Sequence, residues 1–289
     1  MARFHVNMMS YTLRMATDLE VIIPSSPGWS RFVTPTITHK DFPEKFPCLY
    51  LLHGFASDYS WFLANTHIPE IAEKQNIAVV MPSGYNTAWE DEKYGLPMSQ
   101  FLTGELIEFV ERMFPISSAP QDRFIAGFSM GGYGAMLNGL RNTELYGAVA
   151  SISGTLIAED RLNNRTNSSP SQTMAIYGDP AVIDKDTQDI FVMLENAVTG
   201  GKKLPRLFAC SGTEDTVAYP RYNRLKECLE RIGYSEQVKL YEAEGIPGGF
   251  WCDKILPGMI EWMLKTHTVF NCASPFNASY AIPPVSDPS

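Results

Sequence analysis

The sequence has no CxxC pair, no apolar run long enough to cross a membrane, no internal repeat and no surplus of positive charge. Its 289 residues hold five cysteines, an odd number scattered as Cys48, Cys210, Cys228, Cys252 and Cys272. That pattern excludes a disulfide framework and reads as free thiols in a reducing compartment. The N-terminal "MARFHVNMMSYTLRMATD" is broken by Arg3, His5 and Arg14, so it lacks the apolar core of a signal peptide, and a soluble, cytoplasmic protein is expected. A formal net charge of −9 argues against nucleic acid and anionic membrane surfaces as partners. No metal cluster or cofactor motif is visible, and no cofactor is expected.

Apolar content is ample at 45%, enough for the core of one α/β domain. "RFHVNMM" and "DLEVIIP" alternate like an opening antiparallel pair, the second closed by Pro24. "PCLYLLHG", "NIAVVMP", "DRFIAG", "LYGAVASISG" and "LPRLFACSG" are short apolar runs of the kind that parallel strands covered on both faces require. Helical periods separate them. "THIPEIAEKQ", "YNRLKECLERIG" and "DKILPGMIEWMLKTH" are three, with Pro257 disturbing the first turn of the last. "MSQFLTGELIEFVERMF" puts Phe101, Leu102, Leu106, Phe109, Val110 and Met113 on one face. With "QVKLYEAEG" as last strand, the alternation predicts an α/β fold: a mostly parallel central sheet with helices on both faces. The expected domain is 1–270, with a cap-like excursion at about 155–203. A Pro- and Ser-rich flexible tail is expected at 271–289.

"GFSMGG" fits G-x-S-x-G between an apolar strand and a helical segment. That is the context of a nucleophile elbow, a turn so tight that only small neighbours fit and the serine hydroxyl is thrust outward. Gly131, Gly132 and Gly134 are accounted for by this turn and are no phosphate loop. Acyl transfer needs a nucleophile, a base, a carboxylate to orient the base, and N–H donors for the oxyanion. Ser129 is the candidate nucleophile. The N–H of Met130, opening the helix, and that of Phe55, in the loop after "CLYLLHG", are the candidate oxyanion donors. "ACSGTED" offers Asp215 as the carboxylate, with Glu214 beside it; the alternative is that both merely cap the following helix.

The base is what the sequence lacks. In the order Ser, Asp, His the histidine belongs in the loop after the last strand, yet "YEAEGIPGGFWCDKIL" contains none. His5, His39, His53, His67 and His267 fall elsewhere. His53 precedes the oxyanion loop, but a structural hydrogen bond to backbone suits it better than a role as base. Glu242 and Glu244 are close in sequence, yet carboxylates near pKa 4 accept a serine proton poorly, and they read as solvated strand-end charges.

The stretches "LYLLHGFASDYSWF", "VVMPSGYNTAW", "RFIAGFSMGGYGAM", "ACSGTEDTVAY" and "FWCDKILPGMIEWML" together resemble serine esterases of the esterase D and tributyrin esterase type. These are α/β-hydrolases that include S-formylglutathione hydrolases and feruloyl esterases. The resemblance covers nearly everything but the tail. It implies an α/β-hydrolase fold, Ser129 as nucleophile, Asp215 as triad acid, and Phe55 and Met130 as oxyanion donors. It also locates the departure: anchored on Phe250-Trp251, the family's histidine falls at Ile246, or at Pro247 if the loop is one residue shorter. In this architecture Trp61, Trp89, Tyr94, Phe128, Phe250 and Trp251 fall on loops above the sheet, where they suggest a pocket for an apolar or aromatic acyl group. Two readings stay open. One is a serine carboxylesterase for small or aromatic acyl esters, with reduced activity or an unconventional base. The other is a non-catalytic protein of the same fold that binds an ester-like or aromatic ligand. Either takes a small molecule as partner, and a homo-oligomer is compatible with both.

Overall fold

A computed structural model describes residues 1–25, 43–156, 170–178, 184–234 and 236–265. Eight strands form one sheet in the order β1-β2-β4-β3-β5-β6-β7-β8. β1 (Ala2–Ser10) and β2 (Met15–Ile23) pair antiparallel from Ala2↔Ile23 to Ser10↔Met15, and β2 joins β4 (Ala78–Pro82) antiparallel. The rest is parallel: β3 (Cys48–Leu52), β5 (Arg123–Phe128), β6 (Ala148–Ile152), β7 (Arg206–Gly212) and β8 (Val238–Ala243).

The apolar runs read from the sequence are these strands, and the reason is burial on both sides. On β3, Cys48, Tyr50 and Leu52 point into one core while Leu49 and Leu51 point into the other. Side chains alternate across a strand, so a strand covered on both faces must be apolar throughout. The first core is closed by helix α4 (Met130–Arg141), the second by α9 (Gly249–Leu264).

Two shorter helices, α1 (Trp61–Asn65) and α2 (Ile68–Gln75), follow β3; only the second is legible in the sequence. The next helical stretch carries a π-helical segment, Phe101–Glu105, before α3 (Leu106–Met113). Glu105 thereby turns inward and accepts the Ser10 hydroxyl at 2.6 Å and the N–H groups of Tyr11 and Thr12 at 2.9 Å each, pinning the β1–β2 turn. The expected buried face is corrected at its end: Ile107 is buried and Met113, the last residue of α3, is 65% exposed.

Between β6 and β7 the described residues form α5 (Pro170–Tyr177), α6 (Lys185–Gln188) and α7 (Ile190–Thr199). The rest of the expected cap-like excursion, the tail 271–289, His39 and His267 lie outside the described residues. α8 (Ala218–Arg231) links β7 to β8. Pro257 lies inside α9, eight residues beyond its start, where the first turn had been expected. The helix survives because Leu256, Met259 and Ile260 are fully buried, and tertiary packing outweighs the lost N–H bond.

Candidate active site

Ser129 stands between β5 and α4 with φ 53° and ψ −112°, a backbone that L-residues rarely adopt. The neighbouring glycines are demanded by contact. A Cβ on Gly127 would lie 2.2 Å from the Gly131 carbonyl oxygen, and one on Gly131 would lie 2.1 Å from that of Leu52. The Ser129 N–H donates to Ile152 O at 2.9 Å and its carbonyl accepts from Tyr133 N–H at 3.1 Å, so the strained turn is tied to β6 and to the helix.

Gly54 brings the next loop against it: a Cβ there would sit 3.3 Å from Phe128 Cδ1 and 3.5 Å from Ser129 Cβ. Phe55 follows. Among the described residues neither the Phe55 N–H nor the Met130 N–H donates to an acceptor. Both belong to the two segments that meet at Ser129, and Met130 opens the 12-residue α4, whose dipole favours negative charge at that end.

Asp215 lies in the loop after β7, half-buried. Its Oδ1 accepts from the N–H groups of Val217 at 2.9 Å and Ala218 at 2.8 Å, so the carboxylate does cap α8. Its Oδ2 makes no hydrogen bond among the described residues. The loop after β8 reaches this place: Gly245 O accepts from Glu214 N–H at 3.4 Å, and a Cβ on Gly212 would lie 2.3 Å from Gly245 O and 2.9 Å from Pro247 Cδ. Ile246 stands on that turn, 70% exposed, with Gly245 at φ 102° beside it.

None of the described histidines stands on this turn or on the Asp215 loop. His53 is buried, and both ring nitrogens are engaged: Nδ1 donates to Gly54 O at 2.7 Å and Nε2 accepts from Gly84 N–H at 2.8 Å. Burial pushes its pKa down, so it is a neutral structural group in one tautomer with no lone pair to spare. His67 is exposed and its Nδ1 meets the Asp253 carboxylate, which raises its pKa. His5 lies on β1 beside Asp18. Glu242 accepts from Lys226 Nζ at 2.6 Å and the Tyr219 hydroxyl at 3.0 Å; these bonds, Lys226 first, lower its pKa and make it a still weaker base. Glu244 is exposed.

The aromatic residues divide. Trp61 stacks on Phe128 with centroids 5.0 Å apart and planes 10° from parallel, beside Ser129. Phe250 is 88% exposed on the first turn of α9. Trp89 and Trp251, expected in the pocket, are core residues. Trp89 is fully buried, wedged where a Cβ on Gly84 or Gly134 would come within 2.4 Å, and its Nε1–H donates to His53 O. Trp251 is buried and donates to Glu244 O at 3.2 Å, holding the turn that carries Ile246. Tyr94 is 72% exposed. Two concavities lie away from Ser129: one of about 590 Å³ at the N-terminal ends of β5 to β8, another of about 420 Å³ beside β1.

No helix among the described residues is long and apolar enough to cross a membrane.

Residues 38–249 match the model of the family described as "Putative esterase". An acetyl esterase of Caldicellulosiruptor saccharolyticus is 28% identical over 92% of this chain and 99% of its own length. Among solved structures, the fluorophosphonate-binding serine hydrolase F of Staphylococcus aureus is 26% identical over 91% of this chain and 98% of its own, with a TM-score of 0.80. The S-formylglutathione hydrolase of the same organism is also 26% identical over the same shares, with a TM-score of 0.77. The chain belongs to this esterase family: it is a serine carboxylic ester hydrolase built on the α/β-hydrolase fold.

Proposed function

We propose that the protein hydrolyses esters of small or aromatic acyl groups, of the acetyl or feruloyl type, through an acyl-Ser129 intermediate. The observation that carries this reading is the Ser129 backbone, held at positive φ where the two unbonded N–H groups of Phe55 and Met130 belong to the adjoining segments. The Ser129 oxygen attacks the ester carbonyl carbon, the carbonyl oxygen takes up the developing charge between those two donors, and the alcohol leaves with a proton. Water then attacks the acyl-enzyme and frees the acid. The stacked Trp61 and Phe128, with the exposed Phe250, offer apolar surface to the acyl group. Asp215 is the triad acid, its Oδ2 ready for an imidazole that position 246 does not supply.

With the base missing, both steps are slow, but oxyanion stabilisation and positioning alone still exceed the reaction in water by about 10³- to 10⁴-fold. The chemistry calls on no cofactor, and the partner is a small-molecule ester met in the cytoplasm. The related acetyl esterase supports the acetyl end of the range, and a protein that only binds its ligand has no use for a serine held in a strained backbone. The test is release of p-nitrophenol from p-nitrophenyl acetate, followed by intact mass. An acetyl adduct that Ser129→Ala abolishes is the expected result. Absence of both adduct and turnover would overturn the proposal.

A further inference from the structure

In an intact Ser-Asp-His triad the imidazole has two tasks: it takes the serine proton during attack, then returns it to the departing alcohol. The residue at its position therefore faces the alcohol half of the substrate. Here that position holds Ile246, 70% exposed on the turn between β8 and α9, which neither accepts nor donates a proton. The turn 244–248 and the loop 213–217 offer no histidine, lysine, cysteine or tyrosine to act instead, and an ionised carboxylate donates nothing. The departing oxygen must leave without a proton from the protein. An alkoxide, whose parent alcohol has a pKa close to that of water at about 16, leaves poorly under these conditions. A phenolate, whose parent phenol is near 10 like a tyrosine side chain, leaves far more readily.

The surface at this turn suits such a leaving group. Val217, just past Asp215, is 42% exposed, and Phe250, four residues after Ile246, is 88% exposed. Three bonds hold the segments that carry these side chains: Val217 N–H to Asp215 Oδ1 at 2.9 Å, Glu214 N–H to Gly245 O at 3.4 Å, and Trp251 Nε1–H to Glu244 O at 3.2 Å. Large apolar side chains left exposed on adjoining loops mark a binding surface. Glu214 and Glu244 stand exposed among them, so an uncharged ring is accepted and an anionic group is repelled. We propose that the preferred substrates are aryl esters, whose alcohol half is an uncharged phenol with its ring against Val217, Ile246 and Phe250. This rests on the ester-hydrolase reading above and adds the alcohol half to it. The Ser129 oxygen bonds the carbonyl carbon and gives up its proton to water. The bond from that carbon to the aryl oxygen breaks with its electron pair on the oxygen, and the phenolate takes a proton from water. In deacylation the leaving oxygen is that of Ser129 itself, an alkoxide, so the acyl-enzyme accumulates.

Phenyl acetate and cyclohexyl acetate test this, because their alcohol halves are alike in size and apolarity and differ in acidity. The quantity is kcat/KM for acetate release by the full chain, which reports the steps through acylation, with intact mass for the adduct on Ser129. The ratio of phenyl to cyclohexyl ester should be larger in the parent than in Ile246→His by about 10²-fold or more, since a positioned acid contributes about 10²- to 10⁴-fold and the alkyl ester needs it most. Ile246→Gln removes the apolar side chain without supplying an acid and should keep the parent's ratio to within about tenfold. Phe250→Ser should lower kcat/KM for phenyl acetate about fivefold more than for methyl acetate, which carries no ring. Equal ratios in the parent and Ile246→His overturn the proposal while an acetylated Ser129 keeps the esterase reading. A change in Ile246→Gln as large as that in Ile246→His overturns it too, since the acid would not be the cause, and so does an equal loss on both esters in Phe250→Ser. Absence of any adduct or acetate release with either ester overturns the esterase reading itself.

Discussion

Restoring a histidine at position 246 should convert a slow acyl-enzyme into a turning-over one. Ile246 is 70% exposed, so Ile246→His removes little packing, and Gly245 and Pro247 hold the turn against Gly212, beside the loop that bears Asp215. Asp215 Oδ1 is taken by the cap of α8, which leaves Oδ2 to accept the Nδ1–H of the new imidazole. A positioned general base contributes about 10²- to 10⁴-fold. At about 1.4 kcal/mol per tenfold, that is about 3 to 6 kcal/mol of barrier. The assay separates the two steps: stopped-flow burst for acylation of Ser129, steady-state release and intact mass for deacylation. Ile246→His should raise both rates and introduce an inflection near pH about 6.5. Ile246→Gln, which has no proton acceptor of suitable pKa, should do neither. Pro247→His covers a loop one residue shorter. If neither histidine variant outpaces Ile246→Gln while Ser129 still acetylates, a missing base at this turn is not what limits the enzyme.

Gly131→Ala places a Cβ 2.1 Å from a backbone oxygen and should cost about 3 kcal/mol or more, seen as a melting point lower by about 6 to 12 °C; Gly258→Ala, with open space around it on α9, should be neutral or slightly stabilising. Asp215→Asn keeps the cap, so in an Ile246→His background it should lower turnover with little change in stability, whereas Asp215→Ala should also lose about 1 kcal/mol in urea unfolding. His53 has its pKa depressed in the folded state, so below pH about 6.5 the unfolded chain gains a proton that the folded chain refuses. Stability then falls as pH drops from about 6.5 toward the folded value, by at most about 1.4 kcal/mol per unit, and His53→Gln should flatten that slope between pH 6.5 and 5.

The elbow was legible because strand, G-x-S-x-G turn and helix follow one another directly and Gly127 answers to Gly131 four residues on, which a short pattern can encode; that Gly131 answers to Leu52 is set by the fold. The central strands were legible for a related reason: burial on both faces leaves an unbroken apolar run. Trp89 and Trp251 were misjudged because an aromatic ring near a strand end has the same sequence signal whether it lines a pocket or plugs a gap, and what fixes Trp89 is close approach to Gly84 and Gly134, the second 45 residues away. The start of α9 was misplaced because Pro257 was weighed as a local breaker, while the buried Leu256, Met259 and Ile260 around it decide the helix. His53 could be suspected as structural from the sequence. That both of its nitrogens are engaged depends on Gly84, which only the fold brings near.

Asp215 and Ser129 do not weigh equally in the functional argument. A carboxylate that caps a 14-residue helix has a sufficient structural reason to be present, so its survival says little about chemistry. Ser129 has no such reason. Its φ of 53° with ψ of −112° costs a residue with a side chain about 1 to 3 kcal/mol, and glycine would relieve that cost at an entropic charge of about 0.5 to 1 kcal/mol. Ser129→Gly should therefore be more stable in urea unfolding than Ser129→Ala, by about 1 to 2 kcal/mol, although both abolish the acetyl adduct. The comparison isolates the backbone, since both variants lack the hydroxyl. Equal unfolding midpoints would mean that the turn stores no strain, and the serine would lose its claim to be a feature kept at a cost for acyl transfer.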